Sequence, residues 1–194
     1  YSIKLARSSN LITDYFVYTD DEEIDYISNL FGAKSILRTE AIDSTLSVRF
    51  SSIICRGVKQ FEIIYGKNYD IVAILDSNFP LVDISDLNQA IQLVINKEYD
   101  TVISAIEEKG AFWRESGNKI IQEFSERNYR TKMPCYYRET GAFTITKRDL
   151  IQQNNYVGNK VKLFYQNFET SLMAGNSISI RLCEFLMNQK SIVV

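Results

Sequence analysis

The sequence predicts an α/β protein, a three-layer α/β/α sandwich on a mostly parallel sheet, and three observations carry that expectation. Short apolar segments alternate with stretches of helical periodicity along all 194 residues. The segment Ile71–Leu75 is apolar throughout, as a strand covered on both faces must be. Only 2 Pro and 8 Gly punctuate the chain, and no repeat or linker divides it, so a single domain over residues 1–194 is expected.

Taken in order, Tyr1 to Asn10 reads as the end of a helix rather than a natural beginning, so the expected domain lacks its first strand and loop. Asp14 to Thr19 reads as a strand, and Asp20 or Asp21 can cap a helix whose Ile24, Ile27 and Phe31 share one face. Ser35 to Leu37 is a second short strand, and Leu46, Phe50, Ile53 and Ile54 follow the spacing of an amphipathic helix. Ile71–Leu75 is expected as a central parallel strand, after which Asp83 and Asp86 open a helix carrying Leu87, Ile91, Val94 and Ile95. Thr101 to Ile106, Ala142 to Thr146 and Val161 to Phe164 supply further strands, and Ile178, Leu182, Phe185 and Leu186 mark a last helix. In such sheets a ligand sits beyond the carboxyl ends of the strands, which directs attention to Asp20, Asp76 and Asn78.

Composition excludes several classes of function. With no histidine, Ser-His and Cys-His pairs, HExxH zinc sites and imidazole bases are impossible, so proton transfer falls to carboxylate, lysine, tyrosine or water. Cys55, Cys135 and Cys183 lack CxxC spacing and read as reduced packing residues. A net charge of -2 offers no basic surface for a nucleic-acid backbone. No apolar run approaches the ~18 residues of a membrane span, so a soluble, cytoplasmic protein is expected. No GxGxxG occurs, which weakens a general dinucleotide-binding reading.

Four segments point to a specific chemistry. These are Val17–Ile24 (VYTDDEEI), Ile74–Leu81 (ILDSNFPL), Arg130–Arg138 (RTKMPCYYR) and Tyr137–Arg148 (YRETGAFTITKR). Together they resemble the CMP-sialic acid synthetases, the N-acylneuraminate cytidylyltransferases, whose corresponding stretches read LLQPTSPL, RQDLPPVYR and YRENGAIYITKR for the last three. Ile36–Thr45 resembles a shortened form of that family's nucleotide-contacting loop, and the likeness covers nearly the whole chain. The resemblance implies a Rossmann-like nucleotide-diphospho-sugar transferase fold whose sheet has, at its centre, a first strand and basic glycine-rich loop ahead of Tyr1. It implies CTP and an acidic keto sugar as partners, Mg²⁺ as cofactor, and a homodimer with a projecting segment near Ala111–Pro134.

The residue types suit that chemistry. Joining an acid sugar to a triphosphate is mostly positioning and charge neutralisation, and arginine forks hold carboxylate or phosphate through paired hydrogen bonds. The resemblance gives Arg38, Thr45 and Asn78 to the nucleotide, Asp76 to catalysis, and Arg130, Arg138 and Glu139 to the acid sugar. Each arginine could equally be a surface charge, and Asp76 an ordinary turn residue. Trp113, Phe112, Tyr136 and Tyr137 read as packing residues.

The sequence also departs from the family. Where its SxDIDT motif supplies two metal-binding aspartates, this chain has Ser171–Asn176, with Met173 and Gly175 at the acid positions. Thr144 replaces a tyrosine and Val82 an arginine. Asp76, standing where the family has glutamine, could take over metal binding, as an Asp lies near this point in the related KDO cytidylyltransferases. The rival expectation is a catalytically inactive homologue that binds a sugar or nucleotide or serves as an interaction module.

Overall fold

The computed structural model describes residues 1–38 and 50–192, with side chains through residue 189. Helix α1 (Ser2–Ser8) leads into β1 (Phe16–Thr19), α2 (Glu22–Leu30), β2 (Lys34–Leu37), α3 (Phe50–Tyr65), β3 (Ile71–Leu75), α4 (Ile84–Ile95) and β4 (Thr101–Lys109). A hairpin of β5 (Trp113–Ser116) and β6 (Lys119–Gln122) follows, then a 3₁₀ turn at Arg130–Lys132. β7 (Cys135–Lys147), α5 (Arg148–Gln152), β8 (Val161–Tyr165) and α6 (Ser177–Ile192) complete the order.

The main sheet has the order β3-β7-β4-β8. β4 and β8 pair in parallel, while β7 runs against both β3 and β4, so it alone is reversed. The mostly parallel sheet is therefore present, with one correction: Ile71–Leu75 pairs with an antiparallel neighbour and forms an outer strand of this sheet. Side chains alternate across a strand, so Ile71, Ala73, Phe143, Ile145 and Val102 face α4, whose Leu87, Ala90, Ile91 and Val94 are buried against them. On the other face Val72 meets Cys55 and Val58 of α3 and Ile151 of α5. Helices on both faces give the three layers expected.

β1 and β2 form a separate parallel pair. Phe16 of β1 packs against the cluster that Val72 also touches, and it stacks on Phe61 of α3 at 4.3 Å between ring centroids. Asp14, just before β1, accepts hydrogen bonds from Lys67 (2.7 Å) and Tyr69 (3.0 Å), just before β3. The two sheets are thus joined by α3 and by one carboxylate, with no backbone ladder between β1 and β3 among the described residues. All five residues of β3 are only half-buried, whereas Ala142–Thr146 of its partner are fully buried. Among the described residues no strand pairs with the second edge of β3.

Local signals explain the helix starts. Asp21, rather than Asp20, caps α2 by accepting from the backbone N–H groups of Glu23 and Ile24, and Asp83 accepts from Ser85 at the start of α4. The expected faces of two helices are not covered. Ile24, Ile27 and Phe31 on α2, and Ile178, Leu182 and Phe185 on α6, are each at least 40% exposed. Leu46 lies outside the described residues. No helix among the described residues is long and apolar enough to cross a membrane.

Candidate functional site

The carboxyl end of β3 is where the chain draws three distant segments together. Asp76 follows the strand, and its Oδ1 accepts the backbone N–H of Asn78 at 2.8 Å, the turn that Asp forms readily after a strand. The Ala174 N–H donates to the carbonyl of Asn78 at 2.7 Å, which docks the 171–176 loop onto that turn. Ser2 at the start of α1 donates its hydroxyl to the Asp76 carbonyl at 3.3 Å. Met173 and Gly175, at the positions where the resemblance implied aspartates, are therefore neighbours of the Asp76 turn.

Arg38 sits at the end of β2, its backbone N–H donating to Thr19 at 2.7 Å. Its guanidinium pairs with Asp20 at 2.6 Å and lies 5.4 Å from the centre of the Tyr18 ring, with the side chain 13% exposed. The buried Nε has no hydrogen-bond partner among the described residues. Thr45, its expected companion at the nucleotide, lies outside the described residues.

The acid-sugar candidates are not brought together. Arg138 donates to Glu108 at 2.7 Å across the β4–β7 ladder. Arg130 lies instead with Glu107, Lys109 and Thr131 around an open cleft of about 340 Å³. Because Glu108 alternates with Glu107 and Lys109 along β4, the two arginines belong to opposite faces of the sheet, and Glu139 faces away from Arg138. The shared two-arginine pocket expected from the sequence is not formed.

Several titratable groups are shifted by identifiable causes. Hydrogen bonding to Cys135 and then to Tyr165 pushes the Tyr137 hydroxyl up to about 12, and the two tyrosine rings stack at 5.1 Å. Burial, reinforced by Asp14, raises Tyr69 to about 12. Lys67 holds the Asp14 carboxyl low, and Lys147 does the same for Asp100.

For Mg²⁺, the described residues include no group of three or more acids, cysteines or histidines. A single carboxylate still fits this ion, which keeps several waters and takes one or two protein carboxylates beside substrate phosphates. Asp76 qualifies, since only its Oδ1 is engaged by the turn. Sequence reasoning missed the contributions of Ser2, Ala174 and the buried Gln166. Of these only Gln166 left a signal, an amide directly after the apolar strand segment Leu163–Tyr165.

Comparison with known proteins adds the following. No family model matches the chain. It is 25% identical over 171 residues to N-acylneuraminate cytidylyltransferase A of Danio rerio, covering 84% of this chain and 38% of that protein. It is 28% identical over 152 residues to a pseudaminic acid cytidylyltransferase of Campylobacter jejuni, covering 74% and 64% respectively. The chain thus spans less than two thirds of the length of these relatives. Among solved structures, CMP:2-keto-3-deoxy-manno-octonic acid synthetase complexed with CTP matches with a TM-score of 0.65 at 12% identity, over 97% of this chain and 86% of that one. A 4-diphosphocytidyl-2C-methyl-D-erythritol synthase matches with a TM-score of 0.68 at 11% identity, over 95% and 86%. The chain shows weak but consistent homology to the N-acylneuraminate and pseudaminic acid cytidylyltransferases, on the nucleotide-diphospho-sugar transferase fold of its structural neighbours.

Proposed function

We propose that the protein is a nucleotidyltransferase that joins an acidic, sialic-acid-like keto sugar to CTP. In this reading the anomeric hydroxyl of the sugar forms a bond to the α-phosphorus, and pyrophosphate leaves. The observation that carries it is the meeting of Asp76, Asn78 and the 171–176 loop at the end of β3, where a sheet of this kind binds its ligand. Asp76 would hold Mg²⁺, which when bound would neutralise charge on the phosphate oxygens. Arg38, with Thr45 and Asn78, takes the nucleotide. Arg130, Arg138 and Glu139 act on the acid sugar, and their opposite faces require either that only one arginine meets a given substrate or that a second subunit contributes.

The reading includes a homodimer whose projecting arm is the β5–β6 hairpin, where Trp113 and Ile120 are exposed. It also includes a single domain that holds both sheets, joined through α3.

Pyrophosphate release from CTP and Mg²⁺, with a panel of eight- and nine-carbon keto acids and the full natural protein, tests the proposal. Release with none of these acids would refute it. The inactive-homologue reading is favoured by Met173 and Gly175 beside the Asp76 turn, since neither offers the hard oxygen that Mg²⁺ takes. Calorimetric titration with CTP alone separates a silent binder from a chain that binds no nucleotide.

A further inference from the structure

Polar contacts lead from Thr140 of β7 through Gln166 to Thr170, and the chain from Thr170 to Ala174 completes the route to the Asp76 turn. β7 is irregular where it passes Ser104: the β4–β7 register shifts between Ile103 and Ala105, and Gly141 has a φ of 84°, a left-handed conformation that only glycine adopts without strain. That irregularity turns Thr140 inward. Its hydroxyl lies 2.7 Å from the Ser104 hydroxyl and 2.8 Å from Oε1 of Gln166.

Gln166 is 7% exposed and both ends of its amide are used. Oε1 accepts from Thr140, and Nε2 donates to the carbonyl of Thr170 at 3.0 Å. Its own N–H donates to Ala105 at 2.8 Å, which fixes the residue to β4. Thr170 is in turn held by Asn167, and four residues later Ala174 donates to Asn78. A buried amide with both ends satisfied is costly to disturb, because removing one partner leaves the other unpaired away from water.

We propose that Gln166 is a positioning residue of the candidate site, its amide clamping the 167–174 loop to the β7 irregularity so that Ala174 holds the Asp76–Asn78 turn in place. The inference deepens the proposed function and rests on it for its catalytic meaning. The coupling of Gln166 to the Asp76 turn stands on the geometry alone.

The test compares Gln166→Leu, Thr140→Val, Thr140→Ser and the remote core variant Ile151→Val by two measurements. The first is amide hydrogen exchange at Ala174, and the second is calorimetric affinity for CTP with and without Mg²⁺. Gln166→Leu is expected to speed exchange at Ala174 at least tenfold and to weaken Mg²⁺-dependent CTP binding. Thr140→Val should show a smaller effect in the same direction, and Thr140→Ser, which keeps the hydroxyl, should restore the wild-type values. Ile151→Val, buried in the opposite layer, should lower the melting temperature without moving either measurement. If Gln166→Leu leaves Ala174 exchange as Ile151→Val does, the residue is structural only and the inference is overturned. If wild-type protein binds no CTP, the proposed function fails, while the exchange comparison still decides whether Gln166 positions the turn. Should Gln166→Leu fail to fold, Thr140→Val and its rescue by Thr140→Ser decide the matter.

Discussion

Asp76 is the residue for which a structural role and a functional role predict different numbers. Its Oδ1 accepts the Asn78 N–H at 2.8 Å, a bond that an Asn side-chain oxygen can also accept. Asp76→Asn should therefore keep the turn and lose only the charge, whereas Asp76→Ala should lose both. Loss of such a side-chain bond to backbone costs about 1 kcal/mol, which lowers the melting temperature of a chain this size by roughly 2–4 °C. Melting should thus place Asp76→Asn near wild type and Asp76→Ala a few degrees below it. Loss of a charged oxygen ligand costs about 1.5–3 kcal/mol, or about tenfold to a hundredfold in affinity. Calorimetric titration of CTP should then show both variants weakened to that degree with Mg²⁺ present, and Asp76→Asn, which keeps the Asn78 turn, not weakened without it. If Asp76→Asn binds CTP with Mg²⁺ as tightly as wild type, Asp76 is a turn residue and the metal assignment is wrong.

Other consequences follow from the packing and the charges. Glu62→Ala should destabilise the fold by about 3–5 kcal/mol in urea unfolding, because it strands the buried Arg148 guanidinium, whose Nη1 has no hydrogen-bond partner among the described residues. A loss under 1 kcal/mol would show that the pair is not confined. Asp14 and Asp100 have lowered carboxyl values, so their stabilisation is complete above the ordinary Asp value of about 3.9 and disappears as pH falls through their folded values. Asp14→Asn and Asp100→Asn should each flatten the stability curve measured between pH 5 and 2 by about the range such linkage covers, and an unchanged acid limb would contradict the assignment. Gly158→Ala would bring a methyl to 2.5 Å from Asp100 Cβ and 3.0 Å from Leu150, a clash worth about 1–3 kcal/mol that thermal melting should detect.

Where the sequence was legible, the signal was local. Asp83 and the apolar spacing of α4 foretold a helix that covers the sheet, and Ile71–Leu75 was a strand as read. What local signals could not give was pairing. An apolar run looks the same beside a parallel or an antiparallel neighbour, so the insertion of β7 between β3 and β4 was not visible. The segment Tyr137–Arg148 stood out because its charged half extends the strand past the buried core, which is also why Arg138 and Glu139 alternate to opposite faces. The β5–β6 hairpin was overlooked although Gly117, with a φ of 60°, supplies a turn signal between two short strands. The apolar residues of α2 and α6 were legible as helix faces because periodicity reports which residues share a face. It does not report what, if anything, covers that face.

Two of the arginines assigned to anionic ligands, Arg38 and Arg138, have carboxylate partners, and the kind of pairing distinguishes them. Arg138 and Glu108 form a partly exposed pair, as do Lys109 and Glu107 beside Arg130, and such pairs contribute about 0–1 kcal/mol. A phosphate or carboxylate can displace those partners at little cost, but the flexible cations gain little from being already in place. Arg38 differs. Its side chain is 13% exposed and lies beside the Tyr18 ring, while Asp20 opposite is 63% exposed. The guanidinium is fixed and its counter-ion is free to swing into water, so the cost of ordering the arginine is met before a ligand arrives. A group prepared in this way binds a phosphate with less loss of side-chain freedom than either arginine near β7. Of the three arginines, Arg38 is therefore the one whose replacement by lysine, which loses the planar fork but keeps the charge, should weaken nucleotide binding most.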